Sequence, residues 1–310
     1  MGPDLTETFN ALKANDPELA AGTIPLGLGS TALVVAHPAD SNYPDGSVSK
    51  IFWRHATEAA QTEAHANYLT ETHILRLLGG RVFGDVQTPV LLSENGALES
   101  RHYFASYRMT RMPGSLMDEQ KFFDTAAPDQ IKKHLREIGA LAAHFHTEAA
   151  TLLESINPPL RGLKWGRHIP QVSGFDPRMN EALAEADKYF RVNMKAGVIH
   201  GDLHHRNFTV DANHKITGLF DFSFSGMNEN NLMDFAILPS GLDTVLDEYQ
   251  KQSGKSVDRA MMTMTSISLN AAILNWHYKN PNAPEGIVEN NIKNLKTNLN
   301  QIRDITGLSF

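Results

Sequence analysis

Eight residues, His200-Gly201-Asp202-Leu203-His204-His205-Arg206-Asn207, with Asp221-Phe222-Ser223 downstream, constrain this chain more than any other stretch. An Asp and an Asn five residues apart, then a second Asp fourteen residues beyond that Asn, is the layout of a phosphoryl-transfer site. Such a site needs one carboxylate to take a proton from the attacking hydroxyl, which assigns Asp202 as the base. It also needs an Asn oxygen and a second carboxylate to hold Mg²⁺ against phosphates, which assigns Asn207 and Asp221. The flanks suit these roles. Val198-Ile199 enters as a short strand, Phe208-Thr209-Val210 leaves as another, Asp211-Ala212-Asn213-His214 is turn chemistry, and the stretch from Lys215 to Phe220 returns as a strand. That hairpin brings Asp221 back beside Asn207. His200 is read as bracing the loop through hydrogen bonds. A rival use of the same residues is a His/Asp metallohydrolase, with His200, Asp202, His204 and His205 around Zn²⁺ or a metal pair. It gives Asn207 and Asp221 no role.

Through that motif the chain resembles the aminoglycoside phosphotransferase and choline kinase group, small-molecule kinases that share the protein-kinase fold. The resemblance covers roughly residues 24–238 and implies an α+β, bilobal architecture. An N-terminal antiparallel sheet with one key helix would be followed by a larger, mostly helical lobe. We expect a nucleotide-binding lobe over residues 1–112, ending in a hinge, and a catalytic and acceptor-binding lobe over residues 113–310. The cofactors implied are ATP and Mg²⁺. In the group an acid matching Asp234 braces the catalytic loop.

A chain of 310 residues is long enough for two such lobes. Its net charge of −7 argues against a nucleic-acid backbone as partner. No apolar run approaches a membrane-spanning length, and the first residues lack the basic and apolar regions of a signal peptide. The chain has no cysteine, which excludes disulfides and thiolate chemistry and fits a cytoplasmic location. The expected partner is a small-molecule acceptor. Oligomeric state is not legible.

The segment Gly27-Leu28-Gly29-Ser30-Thr31-Ala32 fits both a dinucleotide-binding turn and a phosphate flap. Directly after it, Leu33-Val34-Val35, rich in β-branched residues and stopped by Pro38, reads as a strand and not a helix. Gly27, Gly29 and Ser30 are therefore read as a flap over phosphates. The next strand, Ser47 to Trp53, carries Lys50 between Val48 and Phe52 on one face. From about Thr57 to Leu78 a helix places Ala64, Tyr68, Glu71, Leu75 and Leu78 in one stripe. A carboxylate left unpaired in that stripe would cost on the order of 3–5 kcal/mol. Glu71 is therefore the expected partner of Lys50, which it would hold on the nucleotide phosphates; Glu63 is the alternative. Val82 to Leu92 and His102 to Met109 read as strands, the second alternating Tyr103, Ala105, Tyr107 and Met109. Thr110 to Gly114 looks like the hinge of the group, whose backbone holds adenine; Thr110 and Met112 are its expected contacts.

Beyond the hinge, Pro128 opens a helix with Ile131, Leu135, Ile138, Ala142 and Phe145 on one face, and Pro177 opens another. His144 and His146 are expected to be surface and packing residues. Leu242, Val245, Leu246 and Tyr249 form one later stripe, and Val288, Ile292, Leu295, Leu299 and Ile302 another. Met261, Met262 and Met264 read as adaptable core. Two features separate the chain from protein kinases. Gly201 occupies the position where a regulated protein kinase carries Arg, and Asp234 follows only thirteen positions after Asp221, too close for a long activation loop. Ser223 replaces the Gly of the metal motif. The acceptors implied by the resemblance are aminoglycosides, other antibiotics, amino alcohols, sugars and amino acids. Asp243, Asp247, Glu248 and Glu285 could suit an amine-bearing substrate or be exposed helix acids. A nucleotide-binding module without catalysis is a further alternative.

Overall fold

Alternation of period two before residue 54, then an Ala-, Glu- and Leu-rich run, produce strands followed by a helix, as the side-chain periods require. The computed structural model describes residues 9–10, 13, 22–28, 32–55, 57–97, 103–153, 166–238, 241–279 and 285–307. In chain order the first elements are β1 (Ile24–Leu28), β2 (Ala32–His37), β3 (Ser47–Trp53), α1 (Glu58–Leu78), β4 (Val82–Phe83), β5 (Val86–Gln87), β6 (Leu91–Asn95), β7 (Tyr103–Thr110) and β8 (Ser115–Leu116). Then come α2 (Glu119–Thr125), α3 (Pro128–His144), α4 (Ala150–Leu153), α5 (Pro177–Asn193), β9 (Gly197–Ile199), β10 (Phe208–Val210), β11 (Ile216–Leu219) and β12 (Gly226–Asn228). The last are α6 (Met233–Ala236), α7 (Leu242–Ser253), α8 (Arg259–Lys279) and α9 (Glu285–Thr306). The chain divides into two compact units, Met1–Glu119 with His205–Ser223, and Gln120–His204 with Phe224–Phe310.

In the first unit β1, β2, β3, β7 and β6 form an antiparallel sheet in that order. One face buries Leu33, Val35, Ile51 and Tyr103, with Trp53 packed against them. The other meets α1 through Phe52, whose ring stands edge-on to Tyr68 at 5.5 Å and tilted to Phe104 and Tyr107 at 6.1 and 6.0 Å. The alternation expected from Tyr103 to Met109 is interrupted. A bulge shifts the β3–β7 register between Phe52 and Trp53, so Ala105 pairs with Phe52 while Tyr103 pairs with Trp53. One extra residue, Phe104, sends Tyr103 to the face opposite Tyr107. The stripe of α1 is as expected: Ala64, Tyr68, Glu71, Leu75 and Leu78 are all buried.

The single strand expected over Val82 to Leu92 is instead three. Gly84 takes φ +62° in a two-residue connection between β4 and β5. Pro89, which cannot donate to a ladder, then separates β5 from β6. A second sheet in this unit runs β4-β5-β11-β10-β8 and contains the hairpin of the motif.

The second unit is mostly helical. On α3, Leu135, Ile138 and Ala142 are buried, and Ile131 is half-buried. Gly139 on the same helix lies against α7, where a Cβ would overlap the Val245 carbonyl oxygen. At its end α3 widens into a π-helical turn, Phe145–Ala149. Met261, Met262 and Met264 are core residues of α8. Strands β9 and β12 pair antiparallel, and β9 leads directly into the His200–Asn207 motif.

Candidate active site

In the first unit, β3 presents Lys50 toward α1, and α1 presents Glu71 from its buried stripe. Lys50 Nζ donates to Glu71 Oε2 at 2.8 Å, with Lys50 7% and Glu71 1% exposed. Glu63 is exposed on α1. The same ammonium donates to Asp221 Oδ1 at 2.8 Å and to Ser223 Oγ at 3.2 Å. The Ser223 hydroxyl in turn lies 2.8 Å from Glu71 Oε2 and 2.9 Å from Asp221 Oδ1, and its single proton serves one carboxylate at a time. Cross-strand from Lys50 is the buried Tyr107.

The electrostatics arise from this crowding. Burial alone would lower Lys50, but the Asp221 and Glu71 carboxylates outweigh it and hold the ammonium charged well above the usual lysine range. Burial pushes Glu71 up, opposed by Lys50. Burial, then the nearby Glu71 and Asp221 charges, raise Tyr107.

The motif hairpin supplies the rest. Phe220 donates its N–H to the Asn207 carbonyl at 3.0 Å, continuing the β10–β11 ladder. Asn207 therefore stands opposite the residue before Asp221. Asp221 takes φ +63°, a left-handed conformation that non-glycine residues rarely adopt. Its side chain is 34% exposed, the most open of the charged cluster. Two carboxylates facing one ammonium leave a surplus negative charge, and Asp221 and Asn207 offer hard oxygen donors. That donor set fits a divalent cation of the Mg²⁺ kind.

Of the flap residues, Gly27 lies on β1 where an added Cβ would meet nothing within 4 Å. Gly29 and Ser30 lie outside the described residues. At the expected hinge, Thr110 exchanges two hydrogen bonds with Val90, its N–H to the Val90 carbonyl at 3.0 Å and its hydroxyl from the Val90 N–H at 2.9 Å. Met112 is buried beside Gly218.

In the second unit Asp234, fully buried on α6, accepts the His200 N–H on Oδ2 at 2.7 Å and the Gly201 N–H on Oδ1 at 2.6 Å. The His200 carbonyl accepts from Ser225 Oγ at 2.7 Å, and His200 Nδ1 accepts the Asp202 N–H at 3.3 Å. Asp202 Oδ1 lies 3.1 Å from His204 Nε2. Burial would raise Asp234, but the hydrogen bond from His146 and the surrounding donors hold it below the usual carboxylate range.

His146 is where the sequence reading misses. His144 is on the surface, paired with Glu148. His146 is not a plain packing residue: it is 4% exposed and its Nε2 lies 2.8 Å from Asp234 Oδ2. A signal existed. Four residues after Ala142, His146 continues an apolar stripe, and a polar ring there requires a partner. Among the described residues no group of three or more His, Asp or Glu side chains is arranged to hold a metal. Asp243 and Asp247 pair with Arg259, and Glu248 with Lys251. The side chain of Glu285 lies outside the described residues.

A family model described as the phosphotransferase enzyme family matches residues 49–260. No curated protein matches the sequence. Among solved structures, an aminoglycoside 2′-phosphotransferase complexed with GDP is 14% identical, covering 99% of this chain and 100% of its own, with a TM-score of 0.62. A microcompartment-associated aminopropanol kinase is 14% identical, covers 98% of both chains and has a TM-score of 0.62. An amicoumacin kinase complexed with AMP-PNP and Ca²⁺ is 14% identical, covers 97% of this chain and 94% of its own, with a TM-score of 0.58. At these identities the likeness carries the fold: an N-terminal antiparallel sheet with its helix, and a helical C-terminal part.

Proposed function

We propose, since this chain belongs to the phosphotransferase enzyme family, that it transfers the γ-phosphoryl group of ATP to a hydroxyl of a small molecule, with Mg²⁺ as the metal. The observation that carries this reading is the Lys50–Glu71–Asp221 cluster, built by three separate segments within one unit, with Asp221 from the motif. Asp202 orients the acceptor hydroxyl and accepts its proton. Asn207 and Asp221 are the metal ligands. Lys50, fixed by Glu71, neutralises charge on the α- and β-phosphates, and the flap of Gly27, Gly29 and Ser30 closes over them. The hinge backbone at Thr110 and Met112 holds adenine. When bound, Mg²⁺ supplies charge neutralisation on the β- and γ-phosphate oxygens. His200 and Asp234 keep the loop that carries Asp202 in place. A cytoplasmic location goes with ATP as donor, and residues 1–112 and 113–310 are the two working lobes of this reading.

For the acceptor, an amine-bearing alcohol is the class best supported. Related structures contain kanamycin or gentamicin, and another is an aminopropanol kinase; each of these compounds carries both amine and hydroxyl groups. The test is mass spectrometry of a pool of aminoglycosides, amino alcohols, sugars and hydroxy amino acids incubated with the protein and Mg-ATP. GTP is run as a second donor, because some of those structures hold GDP. An Asp202→Asn sample is the blank. A phosphate-sized mass gain on one compound, absent from the blank, identifies the acceptor. A gain of equal size in the blank would remove Asp202 from the mechanism, and no gain on any compound while nucleotide binds would favour a binding module.

A further inference from the structure

Asp234 accepts a third hydrogen bond besides the two from the catalytic loop. The His146 ring reaches it from the π-helical turn after α3, Nε2 to Oδ2 at 2.8 Å. The other ring nitrogen, Nδ1, lies 3.3 Å from the Tyr249 hydroxyl on α7. Each member is buried: His146 at 4%, Tyr249 at 3% and Asp234 at 0%. Around them stand aromatic rings. Phe235 is 5.7 Å from His146 and 4.8 Å from Tyr249, and Phe145 packs edge-on against the His200 ring at 5.8 Å.

The donors and acceptors in this chain run one way. Burial, then the Asp234 charge, push the Tyr249 hydroxyl up to about 12, so near neutral pH it keeps its proton and can donate. An imidazole that accepts at Nδ1 carries its proton at Nε2, which aims it at Asp234. Tyr249 thereby selects the tautomer that serves the carboxylate. In an apolar cage that third donor is what lets Asp234 stay ionised, and an ionised Asp234 can accept both the His200 and the Gly201 N–H. The wide turn matters as well. It sets Phe145 on His200 and its neighbour His146 on Asp234, and such turns recur where a helix must place a functional side chain.

We propose that His146 is a positioning residue for phosphoryl transfer: its Nε2–H fixes the Asp234 carboxylate, which fixes the main chain of His200 and Gly201 and with it Asp202. Tyr249 sets the direction of the relay. The proposal rests on the kinase reading for its kinetic consequence, but the relay itself is a matter of geometry.

The test uses the full chain with His146→Leu, His146→Gln and Tyr249→Phe. The Gln amide can place a donor where Nε2 stands, and Leu cannot. His146→Leu is expected to lower kcat about 10- to 100-fold while the KM for nucleotide stays within about threefold. His146→Gln is expected to regain most of that loss, and Tyr249→Phe to lower kcat about three- to tenfold. Hydrogen exchange at the His200 and Gly201 amides supplies a readout independent of activity, and these amides are expected to exchange faster in the Leu variant. If His146→Leu does not fold, Tyr249→Phe and His146→Gln carry the comparison. The proposal is overturned if kcat per folded molecule is unchanged in the Leu variant, if Gln is no better than Leu, or if the two amides stay as protected as in the wild type. Should the wild type transfer phosphate to nothing, the kinase reading fails and the exchange measurement alone decides the relay.

Discussion

The Lys50 ammonium donates to Asp221 Oδ1 at 2.8 Å, and Asp221 holds that position from a backbone φ of +63°. A left-handed aspartate costs on the order of 1 kcal/mol in backbone strain. Lys50 and Ser223 both contact its Oδ1, and these contacts offset that cost. The strain thus falls at the most exposed carboxylate of the cluster, the proposed metal ligand. Lys50 is shared between the two carboxylates, so Glu71 sets the position of the ammonium that Asp221 contacts.

From that sharing, Glu71→Gln is expected to lower kcat/KM for ATP about 10- to 100-fold, because a neutral amide no longer anchors the ammonium against the pull of Asp221. Glu63→Gln is the control: Glu63 is exposed and is expected to change the same constant less than about twofold, the usual size for a surface substitution. Steady-state kinetics at varied ATP check both. Equal losses in the two variants would break the assignment of Glu71.

Ser223→Ala removes the hydroxyl that serves both carboxylates. A buried charged acceptor that loses one donor costs about 1–3 kcal/mol. Urea unfolding of this variant is expected to show that loss, with the Mg²⁺ concentration for half-maximal rate shifted as well. An unchanged urea midpoint would mean that water replaces the hydroxyl.

The contrast between Ser223 and His146 marks how far the sequence could be read. Asn207 and Asp221 are legible because a strand–turn–strand of short range joins them, so spacing alone places Asn207 opposite the residue before Asp221. Lys50 and Glu71 are legible because a charge inside an apolar stripe demands a partner, and the nearest strand offers one. Position 223 is visible in the sequence only as a departure from Gly; that its hydroxyl sits between two carboxylates emerges only from the fold. His146 and Asp234 are 88 residues apart, and helical periodicity says that a residue faces inward without saying what it meets. The bulge at Phe104 and the break at Gly84 escape for another reason. Both turn on one residue, and the alternating pattern reads nearly the same with or without it.

Gly201 has a stricter requirement than the sequence suggests. It takes φ +85°, and a Cβ there would stand inside contact distance of the Phe224 carbonyl oxygen. Arg at this position would be excluded by the backbone before any question of phosphate pairing. Gly201→Ala is expected to cost at least about 2 kcal/mol through strain and overlap, and to displace the N–H bound to Asp234. Gly254→Ala separates the two effects: φ is +68° but the space is open, so about 1 kcal/mol of strain alone is expected. Thermal unfolding of both variants decides, and a Gly201→Ala no worse than Gly254→Ala would remove the overlap argument.

Asp234 makes stability depend on acid in a defined direction. Burial opposes it, but the hydrogen bond from His146 and the His200 donor hold its carboxyl below the ordinary value of 3.8 in the fold. The folded protein therefore binds the proton less readily than the unfolded chain. A depressed acid contributes stability that is fully present above its unfolded value and is lost as pH falls through the folded one. Wild type and Asp234→Asn are accordingly expected to differ most in unfolding free energy from about pH 5 upward, where the unfolded carboxyl is already ionised. The difference should narrow as pH drops below about 4, because protonation removes from the wild type what the amide has already removed. Urea unfolding of both proteins from about pH 3 to about pH 7 measures this. A gap that stays constant across the range would mean that the Asp234 charge, as distinct from its shape, does not hold the catalytic loop.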